Sequence, residues 1–138
     1  MSVLAQINNY LESLSTPKKS ELTLLHEHII HAHPKSQLWF LDGKDGSGKT
    51  VSNPNIGYGH CQLTYTNGTT KDWYKIGLTA TTKGISVYVF GNDNKTYLKD
   101  SYGNRLGKAN ITGYCIQFKS LADIDLHVLK EVFATSLT

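Results

Sequence analysis

Residues 55–91 read NIGYGHCQLTYTNGTTKDWYKIGLTATTKGISVYVFG, and this stretch decides the fold. The pair Asn67-Gly68 stands between two segments that are rich in β-branched and aromatic residues. Such a pair is the strongest short-range signal for a β-hairpin, because a two-residue type I′ turn needs positive φ at both positions. A two-residue turn at this point sets Cys61 opposite Tyr74.

A second hairpin follows directly and shares its first strand with the hairpin before it. Thr69–Ala80 is the shared strand, and Ala80–Lys83 is predicted to form a four-residue loop. This register sets Leu78 opposite Ile85. The two hairpins together predict an antiparallel sheet.

Alternation along these strands sorts the side chains onto two faces, because successive strand residues point to opposite sides. One face is apolar enough to lie under helices, and it carries Cys61, Leu63, Tyr65, Tyr74, Ile76, Leu78, Ile85, Val87 and Val89. The other face mixes aromatic and polar groups, and it carries Tyr58, His60, Gln62, Trp73, Lys75, Ser86, Tyr88 and Phe90.

The segments on either side of the hairpins are predicted to add helices and one more central strand. Apolar residues at helical spacing predict four helices, over 2–13, 17–31, 95–102 and 120–134. Alternation predicts a strand over 113–119, and a short apolar run predicts one over 38–41. The fold class is therefore α+β. We expect a central antiparallel sheet, built from two consecutive hairpins plus a C-terminal strand, to be packed by N-terminal and C-terminal helices.

Length and composition are those of one small globular domain, which we assign to residues 1–138. No apolar run approaches the roughly 20 residues that span a bilayer, so no membrane association is expected. The first residues lack the basic start and apolar block of a signal peptide, which predicts a cytoplasmic protein. Cys61 and Cys115 are then expected to be free thiols.

Charge is distributed unevenly along the chain, although the net charge is only +3. Residues 35–119 hold eleven basic and five acidic side chains, whereas the two ends together hold three basic and six acidic ones. A basic sheet region favours an anionic ligand, while scattered solvated lysines are the simpler alternative. We expect the partner to be a small molecule or a protein rather than nucleic acid, and the sequence does not define the oligomeric state.

Residues 43–50, GKDGSGKT, match the phosphate-loop pattern G-x-x-x-x-G-K-[ST]. That pattern binds phosphate only when a helix starts at its Lys-Thr end, because the helix N-terminus and the loop amides surround the phosphates. Pro54 follows within a few residues and prevents such a helix. We therefore predict an ordinary Gly/Lys-rich loop and no nucleotide hydrolysis.

Histidines crowd the second predicted helix, where Glu27, His28 and His31 fall on one side. The zincin pattern His-Glu-x-x-His fails by one residue, since its last position is Ile30. Imidazole and carboxylate groups are ordinary zinc ligands, so these three residues are weak metal candidates beside the simpler reading as a solvated helix face. No cofactor is predicted.

No arrangement of catalytic residues stands out, and we do not expect an enzyme. The mixed sheet face is the better candidate for a site, because small-molecule sites combine aromatic walls with a few polar groups. Its proposed ligand-binding residues are Tyr58, His60, Trp73, Lys75 and Tyr88. The alternative is that a helix or the loop at 42–55 covers this face. The sequence thus favours a non-catalytic binding module for a small anionic ligand or a protein partner.

Several ordered segments resemble the YdhG-like domain family, a family of unknown function. They span about residues 3–135 and include NIGYG at 55–59, DWYKIGL at 72–78, ISVYV at 85–89, LGK at 106–108, GYCI at 113–116 and FKSLADID at 118–125. The resemblance implies a small α+β fold with a central antiparallel sheet, and it carries no catalytic signature. Some relatives are described as frataxin-like iron chaperones, which makes iron handling the alternative function. This chain departs from that role because its sheet region is basic.

Overall fold

A six-stranded antiparallel sheet with its helices packed mainly on one face forms the body of the protein, in a computed structural model that describes Met1–Thr138. The helices are α1 (Val3–Ser13), α2 (Lys18–Ala32), α3 (Tyr97–Tyr102) and α4 (Leu126–Leu137), and Leu121–Asp123 form a short 3-10 helix. The strands are β1 (Leu38–Leu41), β2 (Asn55–Tyr58), β3 (Cys61–Thr64), β4 (Thr70–Trp73), β5 (Ile76–Thr81), β6 (Gly84–Val89), β7 (Asn110–Thr112) and β8 (Cys115–Phe118).

The strand order of the main sheet is β1-β2-β5-β6-β8-β7, and every neighbouring pair is antiparallel. Strands β3 and β4 pair only with each other, as a separate two-stranded sheet. The predicted α+β class, with two hairpins, a C-terminal strand and terminal helices, is confirmed, and β7 adds a strand that was not predicted beside the C-terminal strand β8. None of the α-helices combines the length and the apolar content that crossing a bilayer requires.

The strand that the two hairpins were predicted to share is interrupted, which is a correction to its continuity. Tyr74 and Lys75 separate β4 from β5, and Gly59 and His60 separate β2 from β3. Two residues lie in each gap, so one register runs through both halves of a long, bent hairpin. The backbone N–H of Lys75 donates to the Tyr58 carbonyl at 2.9 Å and joins the two sides of the hairpin at the bend.

The first hairpin does not have the predicted two-residue turn. The N–H of Tyr65 donates to the Thr69 carbonyl at 2.9 Å, so three residues form the loop between them. Only Gly68 has positive φ, at +85°, while Asn67 accepts hydrogen bonds from the backbone N–H and the hydroxyl of Thr69. A type I turn that ends in a left-handed glycine has this geometry. The register moves by one residue, and Cys61 faces Trp73 instead of Tyr74.

The second hairpin, unlike the first, is tighter than predicted, and its faces are those expected. Thr81 pairs with Gly84, which leaves a two-residue loop, and Leu78 faces Val87 rather than Ile85. A register shift of two residues preserves which side chains share a face. The one-residue shift in the first hairpin, by contrast, moves side chains to the other face.

The core lies between the sheet and the helices. Packing joins α1 to β1, α2 to β5 and β6, α3 to β7, and α4 to β5. The sheet contributes buried apolar side chains from alternate positions of neighbouring strands: Ile56, Tyr58, Ile76, Leu78, Ile85, Val87, Val89, Ile116 and Phe118. Cys61 and Leu63, predicted to lie on this face, belong to the separate two-stranded sheet and are only half-buried, and Tyr65 is exposed.

The last helix begins later than predicted. Ser120 makes no side-chain capping bond, and Leu121–Asp123 form only a 3-10 turn. Asp125 caps α4 instead, because its carboxylate accepts from the backbone N–H groups of His127 and Val128. A carboxylate at this position satisfies helix N–H groups that otherwise lack a partner.

A buried polar pair connects α2 to the bent hairpin. The Nδ1 atom of His26 and the hydroxyl of Tyr58 lie 2.6 Å apart and share a hydrogen bond. Both side chains are buried, so the prediction that Tyr58 lies on the open, mixed face is wrong. Burial raises the pKa of Tyr58 and lowers the pKa of His26 below its usual 6.5, so both groups are held neutral near pH 7.

Acid is expected to weaken the fold through His26. Its pKa is lowered in the folded state, so the unfolded chain binds more protons as the pH falls below 6.5. The stabilisation is therefore complete above pH 6.5 and is lost on acidification, by at most about 1.4 kcal/mol per pH unit for one proton. Urea unfolding of the wild type at about pH 7.5 and about pH 5.5 measures this loss.

Two variants separate this effect from the general effect of acid. His26→Gln keeps a polar side chain but does not titrate, so it should lose less stability between the two pH values than the wild type does. His31→Gln alters an exposed histidine of the same helix and should show the full loss. Equal acid sensitivity in wild type and His26→Gln would refute this assignment.

Candidate ligand pocket at the end of helix α2

The five predicted ligand-binding residues do not form one site, because the bend in the hairpin divides them into three groups. Tyr58 is in the core, as described above. His60 and Lys75 lie at the bend and line one pocket. Trp73 and Tyr88 belong to an aromatic cluster that continues on the sheet face opposite the core.

The aromatic cluster consists of five neighbouring rings: Trp73, Tyr74, Tyr88, Phe90 and Tyr114. Trp73 stacks on Tyr74 with ring centres 4.8 Å apart, and Phe90 stacks on Tyr114 at 5.0 Å. The ammonium of Lys71 lies 4.2 Å from the centre of the Trp73 ring, which is within the range of a cation–π contact.

Tyr74 anchors this cluster to the sheet. Its ring lies across Gly57 and Gly77, so closely that a β-carbon at Gly77 would meet the ring at 2.4 Å. Those glycines pair with each other on the face opposite the core, so the prediction that Tyr74 faces the core is wrong. Burial raises the pKa of Tyr74. Neither Trp73 nor Tyr88 lines any of the five best-defined pockets, and the cluster's contacts are mainly those of packing.

The pocket at the bend has a volume of about 510 Å³, which is within the usual range of small-molecule sites. We call it the basic pocket. Its polar lining comes from the segment after α2 and from the bend of the hairpin: His33, Lys35, Ser36, Gln37, His60 and Lys75. Ala32, Pro34 and Leu137 supply apolar wall, and no carboxylate lines the pocket.

Two hydrogen bonds at Gly59 hold the two polar segments of the basic pocket together. The N–H of Gly59 donates to the Gln37 carbonyl at 2.8 Å, and the indole N–H of Trp39 donates to the Gly59 carbonyl at 2.7 Å. Gly59 has φ +81°, a conformation that glycine adopts without steric cost. The position of Gly59 thus fixes where His60 and Lys75 leave the sheet.

His60 is oriented from two sides. Its Nε2 atom donates to the Asp72 carboxylate at 3.1 Å, and its ring stacks on Trp39 at a centre distance of 6.4 Å and an angle of 10°. Hydrogen bonds from His60 and from Gln62 lower the pKa of Asp72, so this carboxylate stays charged. The imidazole is therefore held in place although half of it is exposed.

The weak metal candidates Glu27, His28 and His31 do lie in one groove. It has a volume of about 740 Å³, and residues of α1, α2 and α4 line it, including Lys19 and Lys130. No group of three His, Cys, Asp or Glu side chains comes close enough together to hold a metal ion. The groove therefore supplies no ligand set for the metal-handling alternative.

The segment with the phosphate-loop pattern forms a tight, hairpin-like loop. Lys44 pairs with Thr50 across it, and the Asp45 carboxylate accepts from the backbone N–H groups of Ser47 and Lys49. No helix begins at Lys49-Thr50. The loop amides bind the Asp45 side chain of the same loop, which is why the letters of the pattern do not produce a phosphate site here.

Comparison with known protein families, with curated proteins and with solved structures finds no match. The resemblance to the YdhG-like family therefore stays a prediction from the sequence.

Sequence reasoning missed the whole segment 33–37 of this pocket, including the basic side chains of His33 and Lys35. Both follow the last turn of α2, and nothing in their local pattern shows that this turn meets the bent hairpin. The available signal was two basic side chains around Pro34, a residue that ends the helix and turns the chain. Only the tertiary contact between Gln37 and Gly59 brings them to His60 and Lys75.

Gly59→Ala is expected to destabilise the protein and to distort the basic pocket. The left-handed conformation costs an alanine about 1–2 kcal/mol, and the new β-carbon would lie 2.9 Å from Leu137 Cδ2 and 3.3 Å from Lys75 Cβ. Urea unfolding measures the loss. Gly48→Ala is the matched control, because Gly48 has φ +86° and open space around it. An equal loss in both variants would contradict the crowding at the bend.

Proposed function

We propose that this protein is a non-catalytic binding module that holds a small anionic ligand in the basic pocket. The observation that carries the proposal is the pocket's lining: two lysines and two histidines from separate segments, with no carboxylate among them. Ammonium and imidazolium groups donate hydrogen bonds to anions, and an ammonium group cannot accept one. A pocket so lined favours a negatively charged guest.

The pocket's construction supports binding rather than catalysis. Lys35 and Lys75 supply charge, and Ser36 and Gln37 add neutral hydrogen-bonding groups. His60 already uses Nε2 on Asp72, and no cysteine, serine or threonine with an activating partner faces it in the lining. These groups orient and hold an anion, and no nucleophile–base pair is formed.

The test is a thermal shift with sulfate and inorganic phosphate, against chloride at equal ionic strength. A ligand at ten times its Kd stabilises the folded state by about 1.4 kcal/mol, which raises the melting temperature of a domain this size by several degrees. Sulfate and phosphate also stabilise proteins generally, by exclusion from their surfaces. The proposal therefore depends on the difference between variants.

Lys35→Met and Lys75→Met remove one charge each and keep most of the aliphatic stem, so both are expected to lose most of the anion-specific shift. Lys49→Met, in the loop with the phosphate-loop pattern, is the matched control and should behave like the wild type. If Lys75→Met and the wild type show the same shift, the anion acts generally and the proposal fails. Loss of the shift in Lys49→Met would assign binding to the loop instead.

A further inference from the structure

We propose that the ligand of the basic pocket is a dianion of the phosphate monoester class, and that its capture is coupled to protonation of His33 and His60. This inference rests on the proposed function and specifies it. It follows from a comparison of the charges that line the pocket with those that oppose them.

The two lysines are opposed by nearly as much negative charge. Asp72 contacts His60 and carries one negative charge. Ala32 and Leu137, the last residues of α2 and α4, also line the pocket, so two helix C-termini meet there. Each helix C-terminus is equivalent to roughly half a negative charge. With neutral imidazoles, the two lysines, Asp72 and the two helix ends therefore sum to about zero.

Protonation of the two histidines changes this balance. Histidine is the side chain that ordinarily changes charge between pH 5 and 8. Two protons raise the local charge to about +2, which matches a dianion, whereas a monoanion would leave one charge uncompensated. A bound dianion in turn favours the protonated imidazoles, so binding takes up protons, and a ligand that keeps both charges binds more tightly as the pH falls.

Charged, titratable and aromatic groups flank each histidine. His60 faces Asp72 on β4 and the ring of Trp39 on β1, and it shares the pocket with Lys35 and Lys75. On its other side, His33 borders a groove between α2 and α4 that is lined by His28, His127, Lys130 and Glu131. Glu131 is paired with Arg105 at 2.8 Å, so the groove offers His33 no free carboxylate.

The size and the walls of the pocket favour an ester over a bare oxyanion. A volume of about 510 Å³ leaves room beside the charged groups, and Ala32, Pro34 and Leu137 form an apolar wall. An organic group attached to the phosphate would bury apolar surface against this wall. A phosphate monoester carries close to two negative charges at pH 7, because its second pKa is about 6.

Titration calorimetry with sulfate isolates the protein's contribution to the pH dependence of binding, because sulfate keeps its two charges across the whole pH range. Sulfate is expected to bind about tenfold more tightly at about pH 5.5 than at about pH 8.0, because added positive charge in the pocket favours a dianion. Acetate, a monoanion, should bind several-fold more weakly than sulfate at about pH 5.5. At about pH 8.0, where both ligands are largely dianions, phenyl phosphate should bind more tightly than inorganic phosphate, through its ring.

Variants assign the pH dependence to particular residues. His33→Gln and His60→Gln should each reduce the ratio of the sulfate affinity at about pH 5.5 to that at about pH 8.0. His31→Gln, outside the pocket, should leave this ratio unchanged. Asp72→Asn should tighten sulfate binding at about pH 8.0, because it removes an opposing charge. All four positions are half-buried or exposed, and circular dichroism at both pH values confirms that each variant is folded.

The outcomes separate this inference from the proposal beneath it. If none of the anions binds at either pH, both fail. If sulfate binds in a lysine-dependent way but its affinity changes less than about twofold with pH, or acetate binds equally well, the pocket holds anions and this inference alone is wrong. An unchanged ratio of sulfate affinities at the two pH values in both His33→Gln and His60→Gln would also overturn it.

Discussion

One backbone constraint, the bend at Gly59, determines both the core and the candidate site. The long hairpin keeps a single register on either side of this residue, yet its two halves belong to different sheets. Gly59 adopts φ +81° and accepts a hydrogen bond from Trp39, while Lys75 donates to Tyr58 across the bend. Ile56 and Tyr58, before the bend, therefore face the core, whereas the residues after it belong to the separate two-stranded sheet.

On the buried side of the bend, the fold has to provide a hydrogen-bond partner for a polar group. Tyr58 is fully buried, and its hydroxyl has to find a partner because an unpaired buried polar group costs about 1–3 kcal/mol. His26 on α2 supplies that partner, which ties the helix layer to the hairpin at one point. The end of the same helix then turns past Pro34 to reach the bend from outside. The core pair and the basic pocket are thus two consequences of one helix-to-hairpin contact.

How much of this could be predicted from the sequence depended on which signals are local. Alternation along β5 and β6 placed Ile76, Leu78 and Val87 on the correct face. The register error of two residues did not change which side chains share a face. The predicted turn of the first hairpin was wrong because the Asn67 side chain accepts hydrogen bonds from Thr69, which favours a three-residue loop over the type I′ turn. That one-residue error, with the bend, moved Tyr58 to the wrong face.

The candidate site was only half predictable for the same reason. His60 and Lys75 were singled out because they accompany aromatic residues in the strands, and the structure brings both to one pocket. Their partners His33 and Lys35 are distant in sequence and come from a segment with no strand pattern. The aromatic residues Trp73 and Tyr88 were expected to form the bottom of the site, but they pack in a separate cluster.

The most direct test of the account is where an anion contacts the folded chain. A map of backbone amide chemical-shift changes during a sulfate titration, referenced to chloride at equal ionic strength, gives this residue by residue. The largest changes are expected at His33, 35–37, Gly59, His60 and Lys75, with little change elsewhere. Changes centred on Tyr88 and Tyr114, or on the loop at 43–50, would contradict it.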